Sequence, residues 1–191
     1  MAKARNVFGR LWRDLSVPVR VVTPAWAWEI ADQLVFGGVP LAIGPGTPWW
    51  TALTFPISHA DFSHLAANTA AFVPASWLVL LRGRRVYATV LLAAWAGNVA
   101  CAWGLPFPGF HGASGLVYGL FGYLFLIGWI ERRFGTAALS AVALFLFGPA
   151  LSGVVPGLVE ANVSWTGHLS GLLGGLLVAW RYPRGAKAVP A

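Results

Sequence analysis

Charge is what this chain has least of. Only 10% of its 191 residues are Asp, Glu, Lys or Arg, against about 25% in a typical soluble domain. No charged residue occurs between Arg85 and Glu131. That scarcity excludes a soluble globular protein. Cysteine is nearly absent as well. The single residue, Cys101, excludes an intrachain disulfide and reads as a small apolar packing group in mid-span. Lys and Arg are missing from most of the chain. All 13 fall in four clusters, Lys3 to Arg20, Arg82 to Arg85, Arg132 with Arg133, and Arg181 to Lys187. The net charge of +7 is therefore no basic face for nucleic acid. It has the spacing of loops between membrane spans.

What is present is apolar. Hydrophobic residues make up 58% of the chain, with 23 glycines and 11 tryptophans. This is the composition of a polytopic membrane protein, and the length suits one domain. The N-terminus is basic and then apolar. Its apolar run starts late, is long and lacks a convincing cleavage site, so it reads as a retained first span and not a cleaved signal.

A helix needs roughly 20 apolar residues to cross about 30 Å of hydrocarbon. That rule places six spans, at about 21–43, 62–81, 86–105, 114–130, 136–155 and 162–180. Breaks such as "GPGTPWW", "RGRR", "LPFPGFHG", "ERRFG" and "PGLVEAN" separate them. With six spans, the four basic clusters all fall on one side, and the intervening loops carry no Lys or Arg. Both termini are accordingly expected in the cytoplasm. The predicted organisation is all-α: a basic N-terminal segment over 1–20, a six-helix membrane core over 21–181 and a short tail over 182–191. Trp49, Trp50 and Trp165 fit an outer aromatic belt, and Trp12, Trp129 and Trp180 an inner one.

Polar groups at membrane depth are costly and therefore candidates for function. They are Glu29, Asp32, His59, His64, Asn68, Asn98, Ser114, Tyr118 and His168. At about 1.5 Å of rise per residue, Ser114 lies roughly 25 Å above Glu131, His168 roughly 20 Å above Arg181, and His64 and Asn68 roughly 27 and 21 Å above Arg82. Three helices running outside to inside thus carry these groups at a similar depth, in the outer part of the bilayer. Small residues beside them permit close helix approach: Gly115 and Gly119 in span four, and Gly167, Gly171 and Gly175 in span six.

The chemistry of such a set is nucleophilic. Serine is a poor nucleophile until a base within hydrogen-bond reach takes its proton, and His168 can be that base. Ser114 begins a helix, so its N–H is an unpaired first-turn donor able to stabilise an oxyanion. His64 and Asn68, four apart, share a helix face and can donate to the same point. Tyr118, one turn below Ser114, can buttress the imidazole.

"GASG" at 112–115, with Tyr118 following, resembles the nucleophile motif of the rhomboid intramembrane serine proteases. "GHLSGLLGG" at 167–175 resembles that family's sixth-helix motif, and "HLAAN" at 64–68 its second-helix HxxxN. The lead-in "FPISHADFSHLAANT" is similar too. The resemblance spans the chain after about residue 20. It implies a catalytic dyad of Ser114 and His168, and an oxyanion hole of His64, Asn68 and the Ser114 N–H. Tyr118 would pack on His168, with Gly112, Gly115 and Gly171 in support. Substrates would be transmembrane segments of other proteins, met within membrane lipid and cut near the outer face. Neither cofactor nor metal is called for. The segment from Ile43 to His59 is shorter than the membrane-embedded first loop of many family members. A bacterial plasma membrane suits so short a chain.

Other readings attach to particular residues. Glu29 and Asp32 have no basic partner within the membrane, and a small proton-coupled transporter would use such acids as proton carriers. A non-proteolytic relative that binds membrane clients is a further alternative. Histidines at one depth could ligate zinc, but no acidic ligand accompanies them. His59 reads as a solvated or loop-bonding residue, His111 as a loop residue, and Asn98 as an interhelical hydrogen-bond partner.

Overall fold

The computed structural model describes residues 2–160 and 163–182, with side chains from Leu15 onward. Among the described residues there is no β-strand, and seven α-helices account for most of the chain. Helix α1 runs Ala2–Ala31, through Pro18 and Pro24, and widens into a π turn over Asp32–Phe36. The sequence predicts this span to continue to residue 43. It stops at Phe36 because Gly37 and Gly38 turn the backbone into the left-handed region at φ 75° and 80°, open to glycine without steric penalty. Beyond them the chain is extended, and Ile43 pairs with Phe110 in an isolated antiparallel bridge.

A single helical turn, α2 (Thr51–Thr54), precedes α3 (Phe62–Leu80) and α4 (Arg84–Gly104). Next come α5 (Ser114–Glu131), α6 (Phe134–Phe147) with a 3₁₀ turn over Gly148–Val154, and α7 (Trp165–Arg181). Three of these segments are long and apolar enough to cross a membrane: Arg84–Gly104, Ser114–Glu131 and Phe134–Val154.

Helix α5 is the axis of the bundle. It packs against α7 above all, and against α6, α3 and α4, while α1 docks chiefly on α3. Its Leu120, Tyr123, Leu124 and Ile127 are fully buried. In lipid there is no hydrophobic gain in joining helices, so association depends on close packing and interhelical hydrogen bonds. The α5–α7 contact is built for closeness. A Cβ at Gly171 would strike the Gly115 carbonyl, and one at Gly175 the Gly119 carbonyl. The predicted Asn98 contact is present: its amide donates to the Gly167 carbonyl and to Ser170 Oγ, both at 2.8 Å. Interhelical hydrogen bonds in membranes average only about 0.6 kcal/mol. The glycine contacts therefore fix the α5–α7 distance, and Asn98 adds register between α4 and α7.

Trp129 and Trp180 lie exposed on the bundle surface, as do Trp49 and Trp50. Trp165 is half-buried and packs edge-on to Phe107, with centroids 5.5 Å apart. The Trp12 side chain and residues 183–191 lie outside what the structure describes.

Candidate active site

Helices α3, α5 and α7 all begin at one end of the bundle, and each start is set by a local device. Asp61 caps α3: its Oδ1 accepts the His64 N–H at 2.7 Å and the Ser63 hydroxyl at 2.6 Å. These two donors hold the exposed Asp61 carboxyl below the usual carboxylate range, the hydroxyl contributing most. Ser164 caps α7 by accepting the Gly167 N–H at 3.1 Å. Helix α5 starts from Gly112, held at φ 106°, with its N–H on the Phe55 carbonyl at 2.7 Å. A side chain at Gly112 would also intrude: a Cβ there would lie 3.1 Å from His64 Cε1 and 3.8 Å from Asn68 Nδ2.

These starts bring together the residues singled out in the sequence. Ser114 Oγ lies 2.9 Å from His168 Nε2. His168 Nδ1 lies 2.9 Å from the Gly153 carbonyl. A carbonyl only accepts, so Nδ1 carries the proton and Nε2 is free to receive the hydroxyl hydrogen of Ser114. The Tyr118 ring stacks on the imidazole, centroids 4.2 Å apart and planes within 12°. Its hydroxyl donates to the Ala150 carbonyl. His168 is thus held at its edge by Gly153 and on its face by Tyr118, and only 8% of it is exposed.

On the other side of Ser114, the Ser114 and Gly115 N–H groups, in the first turn of α5, have no acceptor one turn back. His64 and Asn68 stand one turn apart on α3. The Asn68 amide Nδ2 is buried with no hydrogen-bond partner among the described residues. A buried unsatisfied donor costs about 1–3 kcal/mol, so its retention calls for a reason, and an acceptor that arrives with a substrate is one. A cavity of about 620 Å³ opens over the pair, lined by His64, His111, Ser114 and His168 among others. Its ionisable lining also includes the acids Asp61 and Glu160, and among the described residues no Lys or Arg contributes to it.

Two features had no signature in the sequence: the Gly153 and Ala150 carbonyls are backbone atoms, which any residue type supplies. His59, expected to be solvated or bonded within its loop, is bonded there through Nδ1, 3.3 Å from the Ile57 carbonyl, and also reaches beyond it. It is 2% exposed and accepts the Ala113 N–H at Nε2, 3.3 Å away. Burial, with His64 alongside, lowers its pKa from 6.5 to about 4. His111 Nδ1 lies 3.3 Å from the Ser58 carbonyl. Among the described residues, no three His, Cys, Asp or Glu side chains converge as metal ligands would.

Glu29 and Asp32 lie away from this cavity and are fully buried. Glu29 Oε1 accepts from Gln33 Nε2 at 2.9 Å. Asp32 Oδ1 accepts the Val39 N–H at 2.8 Å, while its carbonyl takes the Gly37 N–H at the same distance. Asp32 thereby folds the end of α1 back on itself.

A helical bundle with apolar spans and a serine–histidine pair at its helix starts defines a class of integral membrane protein. The chain belongs to the rhomboid family: the rhomboid domain model matches residues 46–185. It is similar to an uncharacterized protein of Mycobacterium tuberculosis, 36% identical over 142 residues, covering 69% of this chain and 58% of the relative. Its similarity to YdcA of Bacillus subtilis is 30% over 177 residues, covering 89% and 81%. Its similarity to the rhomboid protease GluP of the same organism is 31% over 143 residues, covering 69% of this chain but 25% of GluP. The chain thus spans just under six tenths of the mycobacterial relative it matches.

Proposed function

We propose that this protein is an intramembrane serine endopeptidase that cleaves transmembrane segments of other proteins near the outer face. The observation that carries this reading is the 2.9 Å contact between Ser114 Oγ and His168 Nε2. In the reaction, His168 Nε2 accepts the Ser114 proton as Oγ attacks the scissile carbonyl. The oxyanion then forms against the Ser114 N–H, His64 and Asn68. His168 returns the proton to the leaving amine, giving an acyl-enzyme on Ser114. Water, deprotonated by the same imidazole, hydrolyses it.

The surrounding organisation follows from the same reading. Six spans cross the membrane, both termini are cytoplasmic, and the basic clusters stay inside. Segment 1–20 precedes the catalytic core over 21–181, and 182–191 forms a tail. A bacterial plasma membrane is the setting, with membrane-protein substrates presented laterally in lipid. No cofactor takes part.

The test uses a reporter transmembrane substrate co-reconstituted with the protein, together with a fluorophosphonate that labels activated serines. Cleavage and labelling mapped to Ser114, both lost in Ser114→Ala at equal expression, are the expected outcome. Undiminished cleavage by Ser114→Ala would overturn the proposal.

A further inference from the structure

We infer that His59 is a positioning residue for the nucleophile, whose neutral imidazole holds the Ala113 N–H and with it the turn that presents Ser114. The inference rests on the reading of Ser114 as the nucleophile.

The ring meets two backbone groups of opposite character. Nδ1 lies 3.3 Å from the Ile57 carbonyl, and Nε2 lies 3.3 Å from the Ala113 nitrogen. A carbonyl only accepts and an amide N–H only donates. One tautomer satisfies both, with the proton on Nδ1 and Nε2 bare. A protonated ring would lose the Ala113 contact, since it has no lone pair left to offer.

Position gives this bond its leverage. Gly112 and Ala113 are the two residues before Ser114, and both their amides are anchored on the 55–59 segment. Gly112 is held by the Phe55 carbonyl, which any residue at 55 would supply. Ala113 is held by the His59 side chain, so residue identity matters there. On that side lies a mostly apolar cavity of about 120 Å³, walled by Val22, Leu65, Phe72 and Leu116 together with Asn68 and Thr69. The Thr69 hydroxyl is engaged with the Trp26 indole N–H and the Leu65 carbonyl. Helix α1 contributes Val21, Val22 and Ala25 to the wall of that cavity. From α3, His64 meets His59 edge to face, centroids 5.1 Å apart. His111 packs edge-on to His64 in turn, at 6.4 Å. A shift of the 112–113 turn would therefore move the Ser114 N–H relative to His64 and Asn68 together.

The experiment measures the fluorophosphonate labelling rate at Ser114, and kcat and KM for the reporter, in the full-length protein with His59 replaced. Misplacement of a reacting group by about 1 Å can cost on the order of 10²-fold. For His59→Leu we expect kcat and the labelling rate to fall by about 10- to 100-fold, with KM little changed. His59→Gln, whose Oε1 can reach the same amide, should recover most of the loss. Should His59→Leu not fold, ¹⁵N-histidine NMR on the unsubstituted protein decides, with protonated Nδ1 and bare Nε2 expected at neutral pH. Unchanged rates in His59→Leu, or a proton on Nε2, would overturn the inference while leaving the nucleophile reading intact. An unsubstituted protein that neither labels at Ser114 nor cleaves overturns that reading, and this inference with it.

Discussion

The Gly153 carbonyl accepts the His168 Nδ1–H at 2.9 Å, in the place where many serine hydrolases put a carboxylate. A carbonyl fixes the tautomer and the ring orientation but would supply no full negative charge to an imidazolium formed in the proposed attack. The Tyr118 ring covers the face of the imidazole. Orientation of the His168 ring therefore depends on the 3₁₀ turn after α6 as well as on α5 and α7.

Gly153→Ala tests that dependence. A Cβ at residue 153 would strike the Tyr118 hydroxyl and lie 3.1 Å from His168 Nδ1. Turnover of the reporter should drop by about 10²-fold, with a much smaller change in thermal stability. Equal kcat in both proteins would mean the turn is not what orients His168.

Asn68 carries the unpartnered amide nearest the Gly112 turn. Removing one oxyanion donor typically costs about 10²–10³ in turnover. Asn68→Ala should lose that much and still exceed Ser114→Ala, since the Ser114 N–H and His64 remain. Steady-state cleavage at matched folded protein measures it. Loss as complete as that of Ser114→Ala would assign Asn68 a different part.

Glu29 and Asp32 separate protease from transporter. Asp32 pins the turn after α1 through the Val39 N–H, and an asparagine oxygen can do the same. Glu29→Gln with Asp32→Asn should leave labelling of Ser114 intact in the folded fraction. Asp32→Ala should lower stability by about 1 kcal/mol through the freed amide, read from the thermal midpoint. Proton-coupled flux in vesicles that disappears in the double variant and persists in Ser114→Ala would reverse the assignment.

Acid should weaken the fold through His59. Its pKa is lowered from 6.5 to about 4, so between those values the unfolded chain binds a proton that the folded chain refuses. Stability therefore rises with pH across that window. It is fully present above 6.5 and is lost as pH falls toward 4. The drop in melting temperature from pH 7 to pH 5 should be smaller in His59→Gln, which has nothing to titrate there. Parallel slopes for the two proteins would show that His59 contributes none of the effect.

Much of the site was legible because it obeys helix arithmetic. His64 and Asn68 are four apart, and a helix puts such residues on one face whatever surrounds it. Ser114 and His168 each adjoin glycines at spacing four, and small residues at that spacing let two helices touch. The end of the first helix was misplaced for an equally local reason. "VFGGVPLAI" is apolar enough to continue a span, but Gly37 and Gly38 allow a left-handed turn, and Asp32 receives the returning amides.

The sequence by itself determined the composition, the charge asymmetry, and which side chains stand near the starts of three helices. Those are properties of residue type and of a repeat of 3.6 residues. Tertiary structure alone decided which backbone atoms meet them: the Gly153 carbonyl on His168, the Ala150 carbonyl on Tyr118, and the Ala113 amide on His59. Every residue offers such a carbonyl and nearly every residue such an amide. Only the packing of α5, α6 and α7 selects which ones reach the site.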